Sequence, residues 1–585
     1  MTALESIVAL AATNQPVAVA ITEHVAVFAV DGHPGLAIPA DNFSLAVQAL
    51  EDAGVRWVWW SNDTAATMIQ AGIRPARCWD LAAVHRLLAG GWASDPGRIW
   101  ALVHGLDVEN IPTIQPVDLF THDDEHGDPE QPVGHDGHLR PEWVAGGWAD
   151  DPDRATRWVE LAARVQRRQA ESVAQIDTGR HAGIERGTEH VRATALSESA
   201  TAMICAELEH DGLPFDRTIG EQIVAGFVGR RPVDDADERG LLRVLDDTVL
   251  RHLPAGTDFD LRRPDHVKSL LRRVGIEVPD TRAWRLEALR DAHPIVEPLL
   301  AWRRAERIRT TFGYAWLDEH VGTDDRLRGR WHGSDGAAGR MTATAGLHNM
   351  PAEMRPAVTP AGGRLLVRAD LGQIEPRILA AISGDQQLIR ACRDDDMYAP
   401  VASRLRVERA VAKVAVLGAM YGQTTGIGAE ALHGLEREYP VAMDYLRRAD
   451  EAAQGGNDLR TYGGRRLRMS GSMPEPDASG DGHVRSRAAA RGRYGRNAMV
   501  QGAAAEFFKT WAVLVRARGT ALDARIVLCL HDELILDVAA DEAVAASALV
   551  VSCLDETAHR WSPPAAERVR FLADVCTVER WSDAK

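Results

Sequence analysis

Short apolar runs alternate with turn-forming residues near the start of the chain, and most of the rest follows helical spacing. Val17 to Ile21, Val25 to Val30 and Trp57 to Trp60 predict the strands of an N-terminal sheet. Long charged helical patterns follow, among them AWRRAERIRTTFGYAWL from Ala301 to Leu317. Further on, Leu365 to Val367 predicts a strand that ends at Asp370. After it come a Gly-Gln turn and a helix carried by Ile374, Ile378 and Leu379, in which Pro376 falls early enough to be tolerated. Ile526 to Leu530 and Leu534 to Val538 predict two strands joined by His531, Asp532 and Glu533 as a tight hairpin turn. Between these stretches Arg409, Lys413, Leu417 and Tyr421 recur every four residues. On a helix they form one stripe about 18 Å long, with Gly422 as its stop.

Each stretch admits an ordinary reading beside a chemical one. Acidic residues at strand ends are common turn formers and helix caps, but two carboxylates on rigid structure also suit Mg²⁺, which takes a few protein oxygens and completes its shell with water and phosphates. The Arg-Lys-Leu-Tyr stripe fits an amphipathic surface helix with snorkelling cations. It equally fits a helix whose cations grip a triphosphate while its apolar end covers a base. HDEL at His531 to Leu534 is not a retention signal, because the chain ends in Ser582, Asp583, Ala584 and Lys585.

In order and spacing, DLGQIEPRILA (Asp370 to Ala380), ERAVAKVAVLGAMYGQTTG (Glu408 to Gly426) and LHDELILD (Leu530 to Asp537) resemble motifs A, B and C of the family A DNA polymerases. GRMTATAGLHNMPAEMRP from Gly339 to Pro356 is similar to a further family segment, with Arg340, Asn349 and Pro351 in matching places. TYGGRRLRM (Thr461 to Met469) and RYGRNAMVQGAAAEFFK (Arg493 to Lys509) resemble two more. The resemblance implies a multidomain α/β protein: an RNase H-like 3′–5′ exonuclease-type domain over residues 1–185, then a right-hand polymerase. The thumb and the start of the polymerase domain would occupy 186–345, entered through ALSESATAMICAELEHDGLPFD (Ala195 to Asp216), and palm and fingers 346–585. With no 5′-nuclease domain ahead of these, the chain resembles the large fragment of such an enzyme.

The implied activity is DNA-directed DNA synthesis from dNTPs on a primer-template by a two-metal mechanism, in repair or replication gap filling. Asp370 and Asp532 would hold two Mg²⁺ ions, with Mn²⁺ able to substitute, and Glu533 would be the accessory carboxylate by the primer end. Arg409 and Lys413 would neutralise the triphosphate, Lys413 also protonating the departing pyrophosphate. Gln373, Glu375, Tyr398, Leu417 and Tyr421 complete the implied dNTP site, with Glu375 blocking the 2′-OH side of the sugar and Tyr421 stacking near the templating position. Arg340, Asn349, Arg377, Arg493, Asn497, Gln501 and His531 form the implied DNA-facing set. Leu417 stands where the family has Phe or Tyr, and Tyr398 where it usually has His.

The N-terminal part departs from the family in its chemistry. An active exonuclease of this kind uses four acidic metal ligands, the first two as DxE on the opening strand, yet VAVAITEHVAVFAV contains no aspartate. Asp63 matches a later acidic position; CWDLAAVHRLL at Cys78 to Leu88 looks like the family without being diagnostic. Trp158 and Ala162 stand where a Tyr or His and an Asp are expected, and Asp107-Val108-Glu109 lies too late in the chain. A fold kept as scaffold, without proofreading, is the expectation.

Composition bounds the rest. A net charge of −17 does not favour a nucleic-acid partner, although charge placement decides the matter. Arg465, Arg466, Arg468, Arg485, Arg487, Arg491, Arg493 and Arg496 face only Glu475, Asp477 and Asp481 along the same run, which suggests phosphate contacts or a solvated loop. The six cysteines lack CxxC spacing and read as reduced and structural. Without a signal peptide or an apolar run of membrane length, the expectation is a cytoplasmic monomer with no membrane partner. His122, His126, His135 and His138 sit in a low-complexity stretch read as a surface loop rather than a metal site. Two other functions remain to be weighed: a single-subunit RNA polymerase-like enzyme, disfavoured by Glu375 and the HDE triplet, and a non-catalytic DNA-binding scaffold, disfavoured by Asp370, Asp532, Arg409 and Lys413 occurring together.

Overall fold

The structure, a computed structural model, describes residues 3–114, 128–177, 180–181, 184–185, 190–253, 259–422, 429–469 and 481–584. It is mixed α/β and divides into two compact units. One comprises Met1–Asp211, Arg330–Ala343 and Gly363–Val578; the other comprises Gly212–Gly329, Thr344–Gly362 and Glu579–Lys585.

The first unit opens with a five-stranded sheet in the order Leu36–Pro39, Val25–Ala29, Pro16–Ile21, Arg56–Trp59, Cys78–Asp80. The first three strands are antiparallel, and the last two join in parallel. The opening strand is apolar at successive positions because both faces of the sheet are covered. Val17 and Val19 enter one core with Phe43, Leu50 and Met68, whereas Ala18 and Ala20 enter another with Trp158, Val159 and Ala162 of the helix Pro152–Asp177. The period of two along a strand makes this division.

A second sheet runs in the order Arg525–Leu530, Glu533–Ala539, Arg364–Leu371, Ala573–Val578, antiparallel throughout. Two helices, Asp481–Gly519 and Ala543–Trp561, pack against it and are joined where the buried Trp511 indole N–H donates to the Val550 carbonyl at 3.0 Å. The long helix lacks a single apolar stripe because it is packed on several sides, including against His190–Asp211 and Pro440–Gln454. Buried charges are matched there. Lys509 donates to both oxygens of Glu198 at 2.8 Å, and Arg465, 2 % exposed, reaches the same carboxylate at 2.7 Å.

The arginine run is therefore not a row of free phosphate ligands. Arg466 pairs with Asp458 at 2.7 Å, Arg468 donates to the Ala89 carbonyl at 2.7 Å, and Arg491 donates to the Gln454 carbonyl at 2.9 Å. With Arg465 buried as well, four of these cations are engaged, and the partners of Arg465, Arg468 and Arg491 are distant in sequence. The other unit is mainly helical, with a core of Val249, Leu270, Leu271, Leu299 and Trp302. Its charged pattern forms two helices, Val296–Phe312 and Tyr314–His320, interrupted at Gly313.

All six cysteines are free, and five are buried. Among the described residues no helix is long and apolar enough to cross a membrane. His122 and His126 lie outside the described residues, as do positions 471–480 of the second low-complexity stretch.

Candidate active site

Two strand ends meet at the centre of the second sheet. The strand Arg364–Leu371 carries Asp370, and the turn His531–Asp532 links its neighbour to Arg525–Leu530. Glu533 is the first residue of its strand rather than part of the turn, directly opposite Asp370 in register. The Leu371 N–H donates to the Asp532 carbonyl at 2.9 Å, a backbone bond that clamps the two acidic segments, and the Gly372 N–H donates to the carbonyl of Leu572 at 2.8 Å. Gln373 and His531 both adopt φ of 55°, the left-handed region, where a non-glycine residue costs about 1–2 kcal/mol. The chain is held in unfavourable conformations at the two turns that present the carboxylates.

The electrostatics are those of crowded anions. Burial, and then the Asp532 carboxylate, push Asp370 up to about 6, with Arg368 opposing the shift. Asp532 is raised too, mainly by burial. Two half-buried carboxylates that raise their own proton affinity suit a cation better than either alone. Among the described residues no three His, Cys, Asp or Glu side chains form a complete metal-binding group, so a divalent ion here would draw further oxygens from water and substrate.

These aspartates line a cavity of about 330 Å³ together with Arg409, Lys413, Leu417, Tyr398, Gln373 and Glu375. Arg340, Gln501 and His531 line it as well, with Phe508 and Ala504 among its apolar walls. The helix Arg409–Tyr421 runs over the residues predicted, and its stop is Gly422 at φ 69°. A Cβ at Gly422 would lie 2.8 Å from Cγ of Arg493, so glycine is required there for both conformation and space. Arg409 is oriented by Asp396, which accepts from its Nε at 2.5 Å, and it lies over the Tyr398 ring at 5.7 Å. Gln373 donates to the same Asp396 at 2.9 Å and accepts from the Met397 N–H at 3.0 Å. Lys413 is exposed, with no ion pair among the described residues.

Glu375 is held from two sides. Arg340 donates to one oxygen at 2.8 Å and the Tyr421 hydroxyl to the other at 3.2 Å, leaving the side chain 17 % exposed. The Tyr421 hydroxyl thus ties the end of the helix Arg409–Tyr421 to the start of the helix that follows Asp370.

Not every expected residue faces this cavity. Arg377 is fully buried, and its guanidinium donates to the carbonyls of Gly372, Cys392, Asp394, Asp395 and Arg570 at 2.5–3.1 Å. The expected DNA contact is replaced by a brace for the loops around Gln373 and Asp396. Asn349 lies in the other unit, where its carbonyl accepts from Arg307. Glu533 points to Arg368 at 2.9 Å. Arg493 and Asn497 lie on the long helix without lining the cavity.

Three residues at or beside the site were not anticipated: Asp396, which orients Arg409, and Arg368 and Asp574, which flank Asp370. The period of two along its strand already places Arg368 on the face of Asp370. Asp574 is legible only from strand register, opposite Asp370.

Among the described residues the N-terminal sheet offers no comparable cluster. Trp158 stacks on Trp60 at 4.7 Å and Trp148 at 5.8 Å, and Ala162 is buried in the same core. Asp63 accepts from the Ser61 hydroxyl at 2.7 Å. Asp107 caps a short turn by accepting from the Glu109 N–H. Asp80 is buried and accepts from the Ala83 N–H at 2.7 Å and the Trp59 indole at 2.9 Å. Each of these three aspartates has a local structural partner.

A family model described as DNA polymerase family A matches residues 250–583. The thermostable DNA polymerase I of Thermus filiformis is 33% identical over 345 residues, covering 52% of this chain and 40% of that relative. DNA polymerase I of Chloroflexus aurantiacus is 31% identical over 296 residues, 45% of this chain and 30% of the relative. The chain thus spans less than half the length of these curated relatives. The solved polymerase domain of Pol1 from M. smegmatis, in complex with DNA primer-template and dNTP, superposes with a TM-score of 0.66 at 22% identity, covering 99% of this chain and 98% of the other. At that identity the likeness is one of fold.

Proposed function

The chain belongs to DNA polymerase family A, and from that premise we propose that it is a DNA-directed DNA polymerase that extends a primer 3′ end with dNTPs. The observation that carries this reading is the convergence of Asp370, Asp532, Arg409, Lys413 and Glu375, from three separate segments, on one cavity of about 330 Å³. The second sheet is then the palm, the helices between Ile374 and Gly519 supply the fingers, and the helices between Arg217 and His320 the thumb. The five-stranded N-terminal sheet is read as an exonuclease-like scaffold.

Asp370 and Asp532 would hold two Mg²⁺ ions, which when bound supply Lewis-acid stabilisation of charge at the α-phosphate. Arg409, fixed by Asp396, and Lys413 bind the triphosphate, and the Lys413 ammonium is the proton donor for the leaving pyrophosphate. Glu375 closes the sugar side of the cavity. Arg340, Gln501 and His531 line the same cavity from the side where the nascent pair would lie, with Asn497 and Arg493 farther along the long helix. A primer-extension assay with Mg²⁺ and dNTPs, NTPs or no nucleotide separates this reading from a single-subunit RNA polymerase and from a scaffold. Extension with dNTPs alone is expected; extension with NTPs, or none, would overturn it.

Leu417 presents an aliphatic wall where it lines the cavity. Leu417→Phe is expected to tighten dNTP binding several-fold, since an added aromatic contact contributes on the order of 1 kcal/mol. Pre-steady-state dNTP titration measures this, and an unchanged apparent Kd would mean that the pocket seats the base elsewhere.

No 3′–5′ exonuclease activity is expected. The core around Trp158 and Ala162 is buried and apolar, and Asp63, Asp80 and Asp107 are separately engaged. Incubating homogeneous protein with a mismatched primer, Mg²⁺ or Mn²⁺ and no dNTP should leave the primer at full length. Shortening that vanishes on Asp107→Ala would show that a nuclease site survives.

A further inference from the structure

We propose that Arg368 is an internal counter-ion of the palm carboxylates that holds Asp370 when no metal is bound and thereby sets the divalent-cation affinity of the site. The proposal rests on the reading of Asp370 and Asp532 as metal ligands.

The sheet register creates the arrangement. Glu533, Asp370 and Asp574 stand in one row across three neighbouring strands. Arg368, two residues before Asp370 on the central strand, projects on the same face and meets all three. Its Nη2 donates to Oδ2 of Asp370 at 2.6 Å, its Nε to Oε1 of Glu533 at 2.9 Å, and its Nη1 to Oδ2 of Asp574 at 3.3 Å. Each guanidinium nitrogen serves a different carboxylate, a division to which the planar five-donor fork of arginine is suited. The side chain is 15 % exposed and Glu533 is 8 % exposed, so this is not a surface pair that solvent readily dissolves.

Two consequences follow for a cation. One oxygen of Asp370 is already taken by a charged donor, leaving the ion to share the carboxylate or displace the guanidinium. A fixed positive charge in a partly buried site also repels a second cation more strongly than it would in water. Both effects weaken metal binding, while the guanidinium keeps Glu533, Asp370 and Asp574 together in the metal-free protein. A fork that merely braced Asp370 would have the opposite sign: its removal would loosen the carboxylate and weaken metal binding.

Mn²⁺ titration of the full chain at pH 8, read as loss of the free-ion paramagnetic resonance signal, separates the two. The parent protein should bind Mn²⁺, and Asp532→Ala should bind much less. Arg368→Gln should bind about tenfold more tightly than the parent. Because glutamine leaves the buried Glu533 without its guanidinium, the variant R368Q/E533Q, compared with E533Q, provides the same test in a protein relieved of that charge. Weaker or unchanged Mn²⁺ affinity in R368Q, or in R368Q/E533Q against E533Q, overturns the role of Arg368 alone. Equal binding by the parent and Asp532→Ala overturns the metal-site reading itself, and this proposal with it.

Discussion

Asp532→Ala is expected to abolish template-directed primer extension, lowering kcat/KM by at least about a thousandfold, while leaving the fold intact. A metal that stabilises transition-state charge contributes several kcal/mol, and each 1.36 kcal/mol is about a factor of ten in rate. Asp532 is the cleaner of the two aspartates to remove. It sits in a turn, half-buried, and its backbone carbonyl, which the substitution retains, makes the clamp to Leu371. Asp370→Ala would also strip a partner from Arg368 and disturb the row of carboxylates. Single-turnover extension over a range of dNTP concentrations, with Mg²⁺ varied by about tenfold either side of the parent optimum, alongside thermal melting, checks the expectation. A well-folded Asp532→Ala protein that extends primers at near the parent rate would remove Asp532 from the site.

Local pattern carried much of this site and failed where partners come from far along the chain. The helix Arg409–Tyr421, its Gly422 stop, the strand bearing Asp370 and the two strands that flank the Asp532 turn are all written in spacing, because they depend on neighbours one turn or one pleat away. Arg377 was misread because its environment is not local in the same sense: Cys392 and Arg570 offer carbonyls that only folding brings to one point. Arg465 leaves the arginine run for the same reason. Arg465 finds Glu198, a partner 267 residues earlier, and becomes a structural charge instead of a phosphate ligand. Density of charge in sequence predicts a phosphate surface only where the fold leaves that charge in water. Arg368 is an intermediate case: its face follows from alternation, but its three partners follow from register.

Glu375→Ala is expected to raise the ratio of rNTP to dNTP incorporation efficiency by about ten- to a hundredfold, the range that a small change in pocket volume commands. The carboxylate is fixed between Arg340 and Tyr421, so it presents a rigid wall to the cavity and not a side chain that could rotate aside. Truncation removes that wall, but it also frees Arg340 and Tyr421, and the two effects need separating. Tyr421→Phe deletes only the hydroxyl that holds Glu375, and should change the ratio little if Arg340 alone keeps the carboxylate in place. Glu375→Gln preserves the filled volume while removing the charge. If the gate works by occupied space, Gln keeps sugar discrimination close to that of the parent and Ala loses it. If Gln loses it as fully as Ala, the ion pair with Arg340 sets the sugar preference and the steric account fails. An unchanged ratio in Glu375→Ala would mean that the ribose 2′ side of the cavity is closed by another residue.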